Sequence, residues 1–249
     1  MNDSSRSTLR VAMIGHAFMG NAHSQAWRTA PHFFALPVHP EMAVVVGRDA
    51  ARAAEAAARL GWAESSTDWR EVVARDDIDV IDICTPGDTH AEIAIAALEA
   101  GKHVLCEKPL ANTVAEAEAM TAAADKARAH GVRAMVGFTY RRVPAIALAR
   151  QLVAEGRIGE VRHVRAQYLQ DWLVDSLSPL TWRLDAERAG SGALGDIGAH
   201  SIDTAQWLTG QNITAVSAVL RTFVPTESRQ EAATAFLADA SCEPLTAEQ

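Results

Sequence analysis

Along the first 137 residues, short apolar runs alternate with alanine-rich stretches of helical character. The runs at 11–15, 42–46, 80–85, 103–106 and 132–137 predict strands, and the stretches at 19–29, 50–60, 67–74, 89–100 and 113–130 predict helices. Asp49, Asp88 and Thr113 stand where helix N-caps are needed, and Gly61, Gly101 and Gly131 follow the predicted helix ends. Strand and helix in strict alternation predict an α/β unit, a doubly wound parallel sheet covered by helices. The segment 31–40, bounded by two prolines, predicts a loop inserted before the second strand.

After residue 137 the pattern changes. A helix is expected at 144–155, then an alternating run at 160–170 that reads as an exposed antiparallel strand. An irregular tryptophan-containing stretch follows at 171–191, then a helix at 193–208 and a second alternating strand at 213–223. From 225 to 249 strand alternation is lost, and only 232–240 has helical character. Two domains are therefore expected, 1–138 and 139–249.

Composition narrows the classes. The chain has 249 residues, 49% hydrophobic and 22% charged, which excludes a disordered polyelectrolyte, and no apolar run approaches membrane-spanning length. Residues 1–8 are polar, with no apolar stretch of signal-peptide length, so a cytoplasmic location is expected. The net charge of -8 argues against nucleic acid as a partner. Cys84, Cys106 and Cys242 have no CxxC or CxxH spacing, so neither a disulfide framework nor a metal site is expected. Lys102, Lys108 and Lys126 are the only lysines in a chain that otherwise uses arginine. Lysine can lose its proton inside a protein and arginine effectively cannot, so each lysine calls for an explanation.

Four segments carry candidate chemistry. In VAMIGHAFMG an apolar strand feeds a Gly-x-x-x-x-Gly turn that opens a helix. Gly15 permits the turn, Gly20 permits close packing, and the helix N-terminus can hold a pyrophosphate, with Ala17, Phe18 and Met19 lining it. Ala17 stands where the dinucleotide fingerprint has its middle glycine. At the next strand end, Gly47 and Arg48 fit the small-residue-plus-cation pattern that accepts the 2′-phosphate of NADP. Asp49 offers the alternative, a ribose ligand for NAD or simply a helix cap.

The third segment is VIDICTPGDTHAEIAIAALEAGKHVLCEKPLA, in which Thr85, Pro86 and His90, then Glu107 and Lys108, follow the ends of two strands. Open parallel sheets bind ligands at that edge. The fourth is GALGDIGAHSIDTAQWLTG, where Asp196 and His200 are four apart on a predicted helix, with Asp203 one turn on. A carboxylate can orient an imidazole for proton transfer. On its own an i,i+4 Asp-His pair is more often a surface pair or an occasional metal site. Trp69, Trp172, Trp182 and Trp207 read mainly as packing residues.

The third segment closely resembles the Gfo/Idh/MocA family, that of glucose-fructose oxidoreductase and inositol dehydrogenase, whose mark is Glu-Lys-Pro after the fifth strand. Asp196, Gly198 and His200 match that family's Asp-x-Gly-x-His. The resemblance implies a Rossmann domain followed by an α+β domain with an open, mainly antiparallel sheet. It implies hydride transfer between NAD or NADP and a CH–OH group of a sugar, cyclitol or related polyol. Lys108, Asp196 and His200 become the catalytic candidates, with the proton assigned to His200 and Lys108 able to exchange roles with it. Tyr140, Arg141, Trp182 and Arg183 become substrate-binding candidates. Rival classes on the same scaffold are NAD-dependent glycoside cleavage and a regulatory dinucleotide-binding protein. Complete family members are expected to be homo-oligomers. Against that pattern the second domain looks incomplete, its sheet left with an unpaired edge, an inactive form being one outcome.

Overall fold

A computed structural model describes residues 8–175 and 181–222 and divides the chain into two compact units. The first comprises Met1–Phe138 with Glu187–Ser191, and the second Thr139–Ala186 with Gly192–Gln249.

The first unit is built on a six-stranded parallel sheet: β1 (Thr8–Ile14), β2 (His39–Val46), β3 (Glu64–Ser66), β4 (Val80–Ile83), β5 (His103–Cys106) and β6 (Ala134–Val136). The spatial order is β3-β2-β1-β4-β5-β6, so the chain reverses direction across the sheet between β1 and β4. Ile14 is in register with both Val46 and Ile83, Ile83 with Cys106, and Cys106 with Val136. The carboxyl ends therefore align, and the residues that leave them (Gly15, Gly47, Cys84, Glu107 and Gly137) share one edge.

The helices are α1 (Phe18–Phe33), α2 (Ala50–Leu60), α3 (Trp69–Val73), α4 (His90–Glu99) and α5 (Val114–Arg128). Alternate residues of β1 feed opposite cores: Ala12 and Ile14 pack with Ile81, Ile83 and α4, while Val11 and Met13 pack with Ala56, Leu60 and Trp62. Doubly buried strands of this kind need helices on both faces, which is what the alternating sequence supplies. Asp49 caps α2 by accepting from Arg52 N at 2.9 Å, and Thr113 forms a reciprocal capping box with Glu116.

Several expectations are corrected here. β3 was not expected, because Glu-Ser-Ser offers no apolar residue; it is an edge strand, paired on one side with β2. The predicted 31–40 loop is shorter, since α1 runs through Pro31 to Phe33. In the last turn a proline forfeits only the hydrogen bond to the carbonyl of Trp27, and the helix closes normally with Phe34 N on Ala30 O at 2.9 Å. Asp88 does not cap α4; it lies in a 3-10 turn, Gly87–Thr89, and α4 begins at His90. Asp68, not foreseen as a cap, accepts from Arg70 N and Glu71 N at the start of α3.

The second unit contains α6 (Pro144–Ala154), a 3-10 turn at Trp182–Leu184 and α8 (Ala199–Thr209); of the single turn α7 (Ala186–Ala189), residues 187–189 group with the first unit. The expected helix at 193–208 is two pieces: a π-helical turn, Leu194–Gly198, precedes α8. The strands expected at 160–170 and 213–223 are not formed among the described residues, where both stretches are irregular. Alternation encodes which side chains point together, but a strand exists only through a ladder with a neighbour, and here neither run has one. The expected helix at 232–240 and the whole tail beyond residue 222 lie outside the described residues, as does Cys242.

Candidate active site

The phosphate-loop candidates converge at the β1 end. Gly15 has φ +98°, and a Cβ there would meet the Cys84 backbone at 2.9 Å; a Cβ on Gly20 would lie 2.2 Å from Gly15 O. Both positions exclude any side chain. Ala17 needs no such freedom: it is the N-cap of α1, at φ -76° and ψ -151°, and makes no side-chain capping bond. Ala17 and Phe18 are exposed and Met19 partly so, leaving the first turn of α1 with backbone N–H groups and no capping oxygen. Such a turn suits a pyrophosphate, so the residues present fit a dinucleotide.

At the β2 end Arg48 is exposed, whereas the Asp49 carboxylate is committed to Arg52 N. Gly47 is covered by His16, whose Nε2 would lie 2.2 Å from a Cβ. At the β4 end Thr85 and Pro86 are half-buried, and the hydroxyls of Thr85 and Thr89 lie 2.7 Å apart.

Two expected cofactor ligands turn inward instead. His90 is 1% exposed, and its ring nitrogens each lie 2.9 Å from a carbonyl, Pro109 O and Thr85 O. It ties the loop after β4 to the loop after β5 and keeps no polar atom for a cofactor. Glu107 is also buried: Oε1 lies 3.1 Å from His23 Nε2, and Oε2 accepts from the Lys108 amide at 3.0 Å.

Around Glu107 lies a polar cluster that the sequence reading missed. His23 Nδ1 is 3.0 Å from both oxygens of Asp82, which is wholly buried, and Trp27 Nε1 donates to Asp82 Oδ2 at 2.7 Å. Burial would push the His23 imidazole down, but its bonds to Asp82, Cys84 and Glu107 outweigh this and raise it to about 12. Cys84 is pushed the other way, up to about 12, because burial disfavours its thiolate. His23, Asp82 and Cys84 bring one potential metal-ligand atom each within 4.8 Å of one another. With both ring nitrogens facing carboxylates and Trp27 on Asp82, the cluster is satisfied as a hydrogen-bond network. One signal was available: an aspartate inside the otherwise apolar run VIDI has to find a buried partner.

The three lysines separate cleanly. Lys102 is buried and donates from Nζ to Arg75 O at 2.6 Å. Lys126 is exposed in the last turn of α5, where a cation complements the helix dipole. Lys108, half-buried, is the second residue past the carboxyl end of β5 and precedes a cis peptide bond to Pro109.

In the second unit, His200 sits in the first turn of α8 with its ring 4.5 Å from that of Tyr140 and 5.9 Å from that of Tyr168. The two tyrosine hydroxyls are 2.7 Å apart, a contact that raises the Tyr140 phenol. Tyr168, not singled out from sequence, is thus part of the same cluster. Asp196, on the π-helical turn, lies 3.7 Å from Arg183 Nε, and the Arg183 guanidinium stacks over Trp182 at 4.6 Å. Arg141, expected to meet substrate, is engaged by Asp203: its Nε donates to Oδ2 at 2.9 Å and its Nη2 bonds Oδ1. It braces α8 rather than presenting a free guanidinium. An open groove of about 510 Å³, lined by Val161, Val164, Ile202, Ala205 and Ile213 among others, includes none of these residues.

Comparison with known proteins finds relatives along most of the chain. Residues 9–138 match the oxidoreductase family with an NAD-binding Rossmann fold, and residues 146–241 match a GFO/IDH/MocA C-terminal domain. Levoglucosan dehydrogenase of Pseudarthrobacter phenanthrenivorans is 51% identical over 219 residues, 87% of this chain and 55% of the relative. The D-xylose 1-dehydrogenase [NADP(+)] of Haloarcula marismortui is 32% identical over 71% of this chain and 49% of its own. Among solved structures, levoglucosan dehydrogenase in complex with NADH and levoglucosan superposes with a TM-score of 0.84 at 49% identity, covering 88% of this chain and 58% of that one. An oxidoreductase domain protein from Kribbella flavida is 68% identical with a TM-score of 0.82, covering 83% and 55%. The chain spans about half the length of the curated relatives it matches. Among the described residues no helix is long and apolar enough to cross a membrane.

Proposed function

The chain belongs to the Gfo/Idh/MocA oxidoreductase family, and from that premise we propose that it is an NAD(P)-dependent dehydrogenase acting on a CH–OH group of a sugar or related polyol. The observation that carries the reading is the β5 end: Lys108, half-buried, follows the aligned carboxyl edge that also carries Gly15, Thr85 and Pro86. Similarity to dehydrogenases of levoglucosan and of D-xylose supports a sugar as the substrate class.

The cofactor would be held by the first turn of α1 with Gly15, Ala17, Phe18, Met19 and Gly20, and beside Thr85 and Pro86. When bound, it would supply the hydride acceptor for oxidation at the carbinol carbon. Lys108 donates a hydrogen bond to the reacting hydroxyl and steadies the alkoxide charge as the O–H bond breaks. His200 takes that proton on a ring nitrogen, and Asp196 with Arg183 holds the turn from which α8 presents the imidazole. Tyr140, Trp182 and Arg183 contact the sugar. At the β2 end, Asp49 is used as a cap and Arg48 is exposed, an arrangement that favours the 2′-phosphate of NADP over NAD.

The test is a panel of sugars and cyclitols with each cofactor, read by reduced-nicotinamide absorbance, with glycoside release assayed in parallel. Lys108→Ala and His200→Ala are each expected to lower turnover by roughly 10²-fold or more. Near-normal turnover in both variants, or glycoside release without net cofactor reduction, overturns the reading.

A further inference from the structure

We propose that His23 is a positioning residue for Lys108, acting through the Glu107 carboxylate. The inference rests on the reading of Lys108 as the group that meets the reacting hydroxyl, and it adds what holds that lysine in place. His23 is on the second turn of α1, the helix whose first turn is the phosphate-loop candidate, yet its ring points away from that loop into the sheet. One ring nitrogen is 3.0 Å from Asp82 on β4; the other is 3.1 Å from Glu107, directly after β5. The second Glu107 oxygen accepts from the Lys108 amide at 3.0 Å. A continuous chain of bonds thus runs from β4 through the imidazole and the carboxylate to the backbone of Lys108.

The alternatives for each member are narrow. Asp82 is 0% exposed and Glu107 4% exposed, so neither carboxylate has water to balance its charge. Trp27 supplies one neutral donor to Asp82; the cation has to be His23. Without it, two buried carboxylates would stand with no counter-charge, which the protein interior tolerates poorly. A residue serving only to fill this space would not need donors on both sides. Gly137 leaves room for the carboxylate, since a Cβ there would sit 2.9 Å from Oε1. Held by His23 on one oxygen and the Lys108 amide on the other, the carboxylate cannot swing aside and still keep both bonds. Its remaining freedom is set by the imidazole, and the position of the Lys108 main chain follows.

The two ends of the histidine can be cut separately. An asparagine amide nitrogen takes roughly the place of Nδ1 and a glutamine amide nitrogen that of Nε2. His23→Asn keeps the Asp82 bond and severs the Glu107 bond; His23→Gln does the reverse. With only three lysines in the chain, protein labelled with ¹⁵N-lysine gives three lysine backbone amide signals, assigned with Lys108→Arg. This readout reports the position of Lys108 whether or not the protein turns over.

The expected result is that His23→Asn moves the Lys108 amide signal upfield, as a lost bond to a carboxylate should, and leaves those of Lys102 and Lys126 in place. Turnover with the best sugar of the panel should fall on the order of 10-fold or more, with substrate KM little changed. His23→Gln should restore both the signal and most of the turnover. Should the histidine variants fail to accumulate as folded protein, the isosteric Glu107→Gln carries the same test: its oxygen either stays with His23 and leaves the Lys108 amide facing an NH2, or turns to the Lys108 amide as a neutral acceptor, and either way the signal moves upfield. A Lys108 amide that is unmoved in His23→Asn or Glu107→Gln, or moved equally by His23→Asn and His23→Gln, overturns the proposal. Lys108→Ala is measured beside them: if it turns over normally, the role of Lys108 is wrong, while the amide signal still decides whether His23 sets its position.

Discussion

His23 Nε2 lies 3.1 Å from Glu107 Oε1 while His23 Nδ1 lies 3.0 Å from Asp82, so one buried imidazole bridges two carboxylates on adjacent strands. The helix that opens at the proposed phosphate loop is thereby joined by charge to the strand end that leads to Lys108.

This bridge makes stability depend on pH with a definite sign. The folded imidazole is raised from its ordinary value of 6.5 to about 12, so the charged form is the one that folding favours. Its contribution is fully present below about pH 6.5 and declines as pH rises towards 12. Thermal melts of the natural protein and of His23→Gln should therefore differ most at pH 6 and converge progressively at higher pH. A gap that widens with pH contradicts a charged His23.

At the start of α1 stability and binding should move in opposite directions. Ala17 is an N-cap without a capping bond, so Ala17→Asp adds one, worth about 1 kcal/mol. The same carboxylate would occupy and repel the place proposed for the pyrophosphate. A raised melting temperature with cofactor Kd weakened by at least about 10-fold is expected, since each factor of ten is 1.4 kcal/mol of lost or opposed contact. Calorimetry and cofactor titration read the two effects independently.

Gly20→Ala has no compensating gain. The added methyl would stand 2.2 Å from Gly15 O, a backbone atom that cannot rotate away. Moving that backbone displaces Gly15, itself at φ +98° against Cys84. Overpacking of this kind costs about 1–3 kcal/mol, and cofactor binding should weaken with it. A variant with unaltered melting temperature and unaltered cofactor Kd would show that the loop is laid out differently.

Arg48 and Asp49 are adjacent but should separate by function. Asp49→Ala is expected to cost about 1 kcal/mol of stability through loss of the α2 cap, with cofactor affinities unchanged. Arg48→Ala should leave stability alone and weaken NADP more than NAD. Equal losses for the two cofactors in Arg48→Ala would remove the 2′-phosphate assignment.

Cys84 and Cys106 should be inert to thiol reagents in the folded protein. They are 8% and 1% exposed, and burial raises both thiols well above their ordinary range. In a Cys242→Ser background, a colorimetric thiol assay should find no reactive group until denaturant is added.

Local pattern carried most of the first unit. Continuous apolar runs encode β1, β2, β4, β5 and β6, and capping residues such as Asp49 and Thr113 encode where helices begin, because both depend on neighbours a few positions away. Glu-Lys-Pro and Asp-x-Gly-x-His were equally plain as strings. The edge strand β3 was not, since Glu-Ser-Ser becomes a strand only by pairing with β2. The same dependence explains the runs at 160–170 and 213–222, which alternate correctly and form no strand without a ladder partner.

For the candidate site the division is sharper. The sequence by itself determined which residues leave the strand ends: Gly15, Thr85, Pro86 and Lys108. It could not show which way each neighbouring side chain faces. Glu107 and His90 turn inward, and Asp49 caps a helix instead of reaching outward. His23, separated from Asp82 by 59 residues and from Glu107 by 84, became part of the picture only when the sheet placed them together. Buried charge explains why: a carboxylate without water must find its counter-charge in space, and the distance along the chain does not enter into it.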